Sequence, residues 1–197
     1  VYPLPSDLIE KQLVTAIEGV GINAMKTGMI GSPELVELVA QTIDKYALKN
    51  VVIDPVMVCK GCDLILAPAA AQAIKELLVP RCDIITPNTV EAAYLADLPE
   101  VKTVEQIKEA AERIIAAGAK NVVIKGGERL SDNAAIDIFY NGKDFVEMAV
   151  PKIYPSYNHG AGCTFSAAIT AGLANGLTME EAVKQAKAFV TAALKHG

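Results

Sequence analysis

The sequence predicts an α/β fold: a mostly parallel sheet with helices on both faces, joined late in the chain by an antiparallel hairpin. Three observations carry this. Short branched apolar runs such as Val51-Val52-Ile53, and the run from Asn121 to Lys125, read as strands buried on both faces. Between the runs stand segments with apolar residues at helical spacing, opened by capping residues. Residues 135–150 change to a period of two around Asn141-Gly142, a hairpin turn. Strand alternating with helix implies right-handed crossovers and a sheet covered on both sides.

Ser6 and Asp7 are placed to cap a first helix whose Ile9, Leu13 and Ile17 share a face, and Gly19 and Gly21 end it. A short strand is expected over 22–25. Ser32 caps a second helix with Pro33 at its first position and Leu35, Val39 and Ile43 inward. After the strand at 51–53, residues 69–78 read as helix and Ile84-Ile85 as strand. Asn88 opens a helix, and Thr103 with Gln106 forms a capping box for a helix that ends at Gly118. The hairpin follows the strand at 121–125. Two helices close the chain, over about 164–175 and 178–195.

A chain of 197 residues, 52% hydrophobic and 21% charged, builds one sizeable core, read here as a single domain over 1–197. The formal charge of −5 and the lack of a basic stripe speak against nucleic-acid binding. No apolar run is long enough for a membrane span, and no charged-then-apolar leader opens the sequence. The four cysteines therefore read as reduced thiols of a cytoplasmic protein. Cys59 and Cys62 make an isolated C-x-x-C; zinc needs a second pair or two histidines, and none stands near. Beginning at Val1, the sequence reads as part of a longer protein.

In a parallel sheet, ligands collect beyond the carboxyl ends of the strands. The expected strands finish in Lys26-Thr27-Gly28, Asp54-Pro55, Thr86-Pro87-Asn88 with Glu91 one turn on, and Lys125-Gly126-Gly127. Two cations, two carboxylates, an amide and hydroxyls then share one edge, a set suited to a polyphosphate and its Mg²⁺. Each has a plainer role as well: Asn88 and Glu91 fit a capping box, Asp54 can simply end a strand, and Gly126-Gly127 can be only a turn. The sharpest feature is the segment Asn158-His159-Gly160-Ala161-Gly162-Cys163-Thr164-Phe165-Ser166, a glycine loop leading into a helix. Free N–H groups and the helix dipole make an anion site there. Helix starts also favour the thiolate form of a cysteine, so Cys163 is a candidate base or nucleophile. The plainer alternative is a small buried cysteine in a glycine-rich turn, and His159 reads first as a structural hydrogen-bonding residue.

The loop His-Gly-Ala-Gly-Cys-Thr-Phe-Ser-Ala-Ala resembles that of the hydroxymethylpyrimidine/phosphomethylpyrimidine kinase and pyridoxine kinase group of the ribokinase-like superfamily. So do Met25-Lys26-Thr27-Gly28-Met29, residues 51–57, Thr86-Pro87-Asn88 with Glu91, and Val123-Ile124-Lys125-Gly126-Gly127. The motifs stand in the family's order across nearly the whole chain. Ala161 with Val58-Cys59-Lys60-Gly61 is most similar to pyridoxine kinases that also accept hydroxymethylpyrimidine. The resemblance implies a three-layer α/β/α sandwich and ATP-dependent phosphorylation of a ring hydroxymethyl group. The substrates implied are pyridoxine, pyridoxal, pyridoxamine or 4-amino-5-hydroxymethyl-2-methylpyrimidine, with ATP and Mg²⁺ required.

By the same resemblance, Gly160, Ala161, Gly162 and Cys163 surround the transferring phosphoryl group. Cys163 stands where most ribokinase-like enzymes have an Asp base, and it also contacts the substrate. Asp54, Asn88, Lys125 and Gly127 lie near the nucleotide phosphates, Asp54 and Glu91 near the metal, and Met25 and Val56 near the ring. A homodimer is implied. The family's opening strand and its Gly-Ser-Asp-Ser-Gly-Gly-Gly-Ala-Gly-like segment are not in this sequence, which is thus N-terminally truncated relative to the family.

Four other readings are weighed beside this one. A hydroxymethylpyrimidine/phosphomethylpyrimidine kinase proper shares the motifs. A truncated nucleotide-binding fragment without turnover fits the missing segment. A ribokinase-like dehydratase of hydrated nicotinamide cofactors typically ends the glycine loop in Asp, and Cys163 argues against it. A dinucleotide-binding fold is disfavoured because no G-x-G-x-x-G follows a first strand.

Overall fold

The fold is seen in a computed structural model that describes residues 4–58, 64–127, 130–131, 133–154 and 159–196. One six-stranded sheet runs in sequence order: β1 (Met25–Thr27), β2 (Val51–Ile53), β3 (Ile84–Ile85), β4 (Val122–Gly127), β5 (Ala134–Tyr140) and β6 (Phe145–Pro151). The first four are parallel; β5 and β6 are antiparallel additions. This is the mostly parallel sheet with a late hairpin that the sequence predicts.

Alternation along each strand divides the core in two. Val51, Ile53, Ile85, Val122, Ile124 and Ile138 face one cluster, which they build with α2 (Pro33–Lys45), α3 (Pro68–Ala73), α4 (Thr89–Leu95) and α5 (Val104–Ala116). Val52, Ile84, Val123 and Phe139 face the other, against α6 (Ala161–Ala174) and α7 (Met179–His196). Helices thus cover both faces, giving three layers. No helix among the described residues is long and apolar enough to cross a membrane.

Local signals account for most boundaries. Ser32 Oγ accepts from Leu35 N–H at the start of α2, and Thr103 with Gln106 closes a full capping box on α5. Asn141 Oδ1 accepts from the N–H groups of Lys143 and Asp144 and shapes the hairpin turn.

Four details differ from expectation. In α1 (Ser6–Val14), Ser6 is already helical and no side chain caps the start; α1 lies beside α2, and none of its residues is fully buried. Strand β1 covers Met25–Thr27, three residues later than expected, since Ile22 is exposed and Met25 is the first residue to pair with β2. In α2 the core position belongs to Val36, while Leu35 is half-buried. Both α1 and α3 widen into π-helical turns, Thr15–Val20 and Ile74–Leu78. Residues Val1, Cys59, Lys60, Gly61, Cys62 and Asn158 lie outside the described residues.

Candidate active site

The residues at the carboxyl ends of the parallel strands converge on one buried carboxylate. Lys26, Asp54, Thr86 and Lys125 have the same parity as Val52, Ile84 and Val123, so they point to the α6–α7 face. Asp54 is 1% exposed. Its Oδ1 accepts from Thr86 Oγ1 at 3.2 Å and from Lys125 Nζ at 3.1 Å. Its Oδ2 lies 2.9 Å from Ser166 Oγ and 3.8 Å from Lys26 Nζ. Two ammonium groups around one carboxylate leave a net positive charge, which an anion can complete.

The helix α6 begins directly above this cluster. Gly160 is its N-cap, in the left-handed region at φ 80°, and Ala161, Gly162 and Cys163 form the first turn. The expected start near residue 164 is therefore three residues late: a left-handed cap turns the chain into the helix through a segment whose glycines argue for a loop. Thr164 N–H bonds to the Gly160 carbonyl at 2.9 Å, so the N–H groups of 161–163 precede the first intrahelical bond and remain available to an anion. Lys125 joins them: a Cβ added at Gly162 would sit 3.3 Å from its Nζ. The helix dipole, the three N–H groups that the helix itself does not use and Lys125 thus act on one point, with Lys26 on the other side of Asp54.

Ser166 binds the two parts together. Fully buried, its hydroxyl lies between Asp54 Oδ2 and the Cys163 carbonyl, 3.0 Å away. Sequence reasoning missed this role because a serine inside an Ala-rich helix carries no local signal for a partner 112 residues away. Cys163 itself is exposed at the helix start, as is His159.

Asn88 and Glu91 form the adjoining corner. Asn88 Oδ1 accepts from the N–H groups of Val90 and Glu91, and Glu91 Oε2 accepts from Asn88 N–H at 2.8 Å. Glu91 Oε1 accepts from Met57 N–H at 3.1 Å, fixing the segment after Asp54. The capping box is therefore complete, and each carboxylate oxygen keeps further lone-pair capacity. Gly127 ends β4 on a backbone irregularity next to Lys125. Met25 packs against the core at the head of β1, two residues before the strand end, and Val56 is half-buried beyond Pro55. Thr27, at the same edge, has a buried hydroxyl without a hydrogen-bond partner among the described residues.

Two open depressions elsewhere lack this convergence. One, between α1 and α2, is lined by Asp7, Glu10, Glu34 and Glu37, which repel anions; the other pairs Lys75 with Asp97 on the far side of α3.

The sequence matches the phosphomethylpyrimidine kinase family over residues 1–197. This chain belongs to that family. It is 49% identical over 195 residues to a pyridoxine kinase of Bacillus subtilis (strain 168), covering 99% of this chain and 72% of that protein. The solved structure of an ADP complex of Bacillus subtilis pyridoxal kinase superposes with a TM-score of 0.93 at 49% identity, covering 98% of this chain and 73% of that one. Pyridoxal kinase from Staphylococcus aureus, solved with AMP-PCP and pyridoxal, gives 0.90 at 42%, covering 99% and 70%. The fold is accordingly that of the pyridoxal kinases.

Proposed function

We propose that this protein is an ATP-dependent kinase for a ring hydroxymethyl group, with pyridoxine, pyridoxal or pyridoxamine as acceptor, and 4-amino-5-hydroxymethyl-2-methylpyrimidine as the alternative. The observation that carries it is the positive cradle at the start of α6: three free N–H groups above Lys125 and Lys26, with Asp54 between the lysines. The names of the similar kinases, and the nucleotide and ring in their solved complexes, support the choice of substrates.

The chemistry follows from these positions. The acceptor hydroxyl oxygen bonds to the γ-phosphorus as the bond to the β-phosphate oxygen breaks, and ADP leaves. Negative charge grows on the transferred group and the leaving oxygen, and preorganised donors lower its energy. The N–H groups of residues 161–163 and the Lys125 ammonium serve as those donors. Lys26 adds positive charge, and Asp54 holds both lysines at the strand ends, where their remaining donors face the phosphates. Cys163 receives the hydroxyl proton as general base; Met25 and Val56 contact the ring.

Mg²⁺ is bound by one or two carboxylates together with phosphate oxygens and water, so it needs no cluster of protein ligands. None is found among the described residues. Asp54 and Glu91 fit that donor set, Glu91 with more spare capacity because Asp54 already has four donors around it. The ion supplies charge neutralisation on the phosphates. Asn88 and Gly127 complete the nucleotide side. The proposal also includes one domain over 1–197 and a cytoplasmic homodimer, whose mass sedimentation would measure.

The test is direct. The protein is incubated with Mg²⁺-ATP and each ring separately, and ADP and phosphorylated ring are measured. Turnover with a pyridoxine-like ring upholds the proposal, and turnover with the pyrimidine alone selects the alternative. ATP binding without any product refutes the kinase reading, and absence of ATP binding refutes the site as a whole.

A further inference from the structure

The proposed site leaves one buried ion pair without a role. Lys187 Nζ of α7 lies 2.6 Å from Asp137 Oδ2 on β5, and the two side chains are 12% and 9% exposed. Lys187 also donates to the Ala135 carbonyl at 3.2 Å. The other Asp137 oxygen accepts from Gly127 N–H at 3.3 Å. Asp137 is the cross-strand partner of Lys125, so both side chains stand on the α6–α7 face. The α6–α7 side of this edge thus carries a row of alternating charge, Lys26, Asp54, Lys125 and Asp137 from the sheet and Lys187 from α7.

Between Lys125 and Gly127 the register slips by one residue. Gly126 is the extra residue, and a Cβ there would come within 2.4 Å of the Ile136 carbonyl. Gly127 follows at φ +54°. Such a bulge re-aims the residues beside it. The side-chain bond at its far side comes from Asp137, and Asp137 is held by Lys187. Its charge is equally important: an uncompensated carboxylate opposite Lys125 would compete with Asp54 and with phosphate for that ammonium.

We infer that Lys187 is a positioning residue for the nucleotide: through Asp137 it fixes the Gly126–Gly127 bulge, and it cancels a carboxylate that would otherwise draw Lys125 away from the phosphates. The inference rests on the kinase reading above. Lys187 acts through Asp137 and touches neither substrate.

The experiment measures dissociation constants for Mg²⁺-AMP-PCP and for pyridoxal by titration calorimetry, well below each variant's melting temperature. Lys187→Met is expected to weaken AMP-PCP binding by about ten-fold or more, with pyridoxal binding changed less than about two-fold. Lys187→Arg, which keeps the charge and the donors, restores AMP-PCP binding. Should Lys187→Met not fold, Lys187→Gln carries the same comparison. Unchanged AMP-PCP affinity, or equal weakening of both ligands, overturns the inference and leaves the kinase reading standing. A wild-type protein that binds no AMP-PCP overturns both.

Discussion

Gly162→Ala separates stability from activity. Gly162 is the second residue of α6 and already helical, so alanine fits its backbone. Replacing glycine at a compatible helical position stabilises by about 0.4–1 kcal/mol, because the unfolded chain has fewer states to lose. Spread over the unfolding entropy of a chain of this length, that is a rise in Tm of about 1–2 °C. The new methyl would stand 3.3 Å from Lys125 Nζ and 4.0 Å from its Cε. A flexible ammonium can yield a few tenths of an ångström, so the fold tolerates it. A phosphoryl group at the proposed site cannot, because the methyl would fill the space between the N–H groups of 161–163 and Lys125. We expect kcat/KM for Mg²⁺-ATP to fall by about ten- to hundred-fold. Calorimetry and an ADP-release assay on the same preparation measure both. A lower Tm would refute the helical start at residue 161; an unchanged kcat/KM would refute the passage of phosphate over Gly162.

Three further outcomes are expected. Ser166→Ala removes a hydroxyl bonded to the Asp54 carboxylate; at about 1.5–3 kcal/mol for a bond to a charged group it lowers Tm by about 4–7 °C, and a shift below about 1 °C contradicts the pairing. Cys163→Ala lowers kcat by about 10²- to 10⁴-fold if the thiol accepts the hydroxyl proton, and retention of full turnover removes that role. Burial pushes the Cys82 thiol up from 9.0 to about 12. Because the folded value is raised, the unfolded chain releases this proton first as pH climbs, so stability present below pH 9 is lost between 9 and 12. Relative to Cys82→Ala, the wild type therefore loses on the order of 1 kcal/mol between pH 7 and pH 10, read from urea midpoints, and an equal response in both proteins contradicts it.

What the sequence made legible was local. The Asn88–Glu91 and Thr103–Gln106 boxes rest on three-residue spacings and are present as expected. The sheet was legible because a strand buried on both faces must be apolar throughout, as Val51–Ile53 and Val122–Ile124 are. Asp54 and Lys125 were legible as strand endings. Hidden was everything that depended on a distant partner: Glu91 reaching Met57, Ser166 reaching Asp54, and Lys187 reaching Asp137. The π-helical turns were also hidden, since a wider turn uses the same residues as a regular one. Ile22 misled because an exposed branched residue beside a strand looks like part of it.

The strict sequence order of the sheet has a consequence for how the molecule is made. Each strand pairs with the one synthesised just before it, so every crossover closes only a modest loop, and the sheet can zip up as the chain leaves the ribosome. The contact between Ser166 and Asp54 spans 112 residues, and that between Lys125 and Asp54 spans 71. The proposed phosphate cradle is then assembled late, when α6 lays its first turn across strands formed long before. A nascent chain would acquire its architecture gradually and its chemistry in one step, so catalytic competence would report the completion of folding.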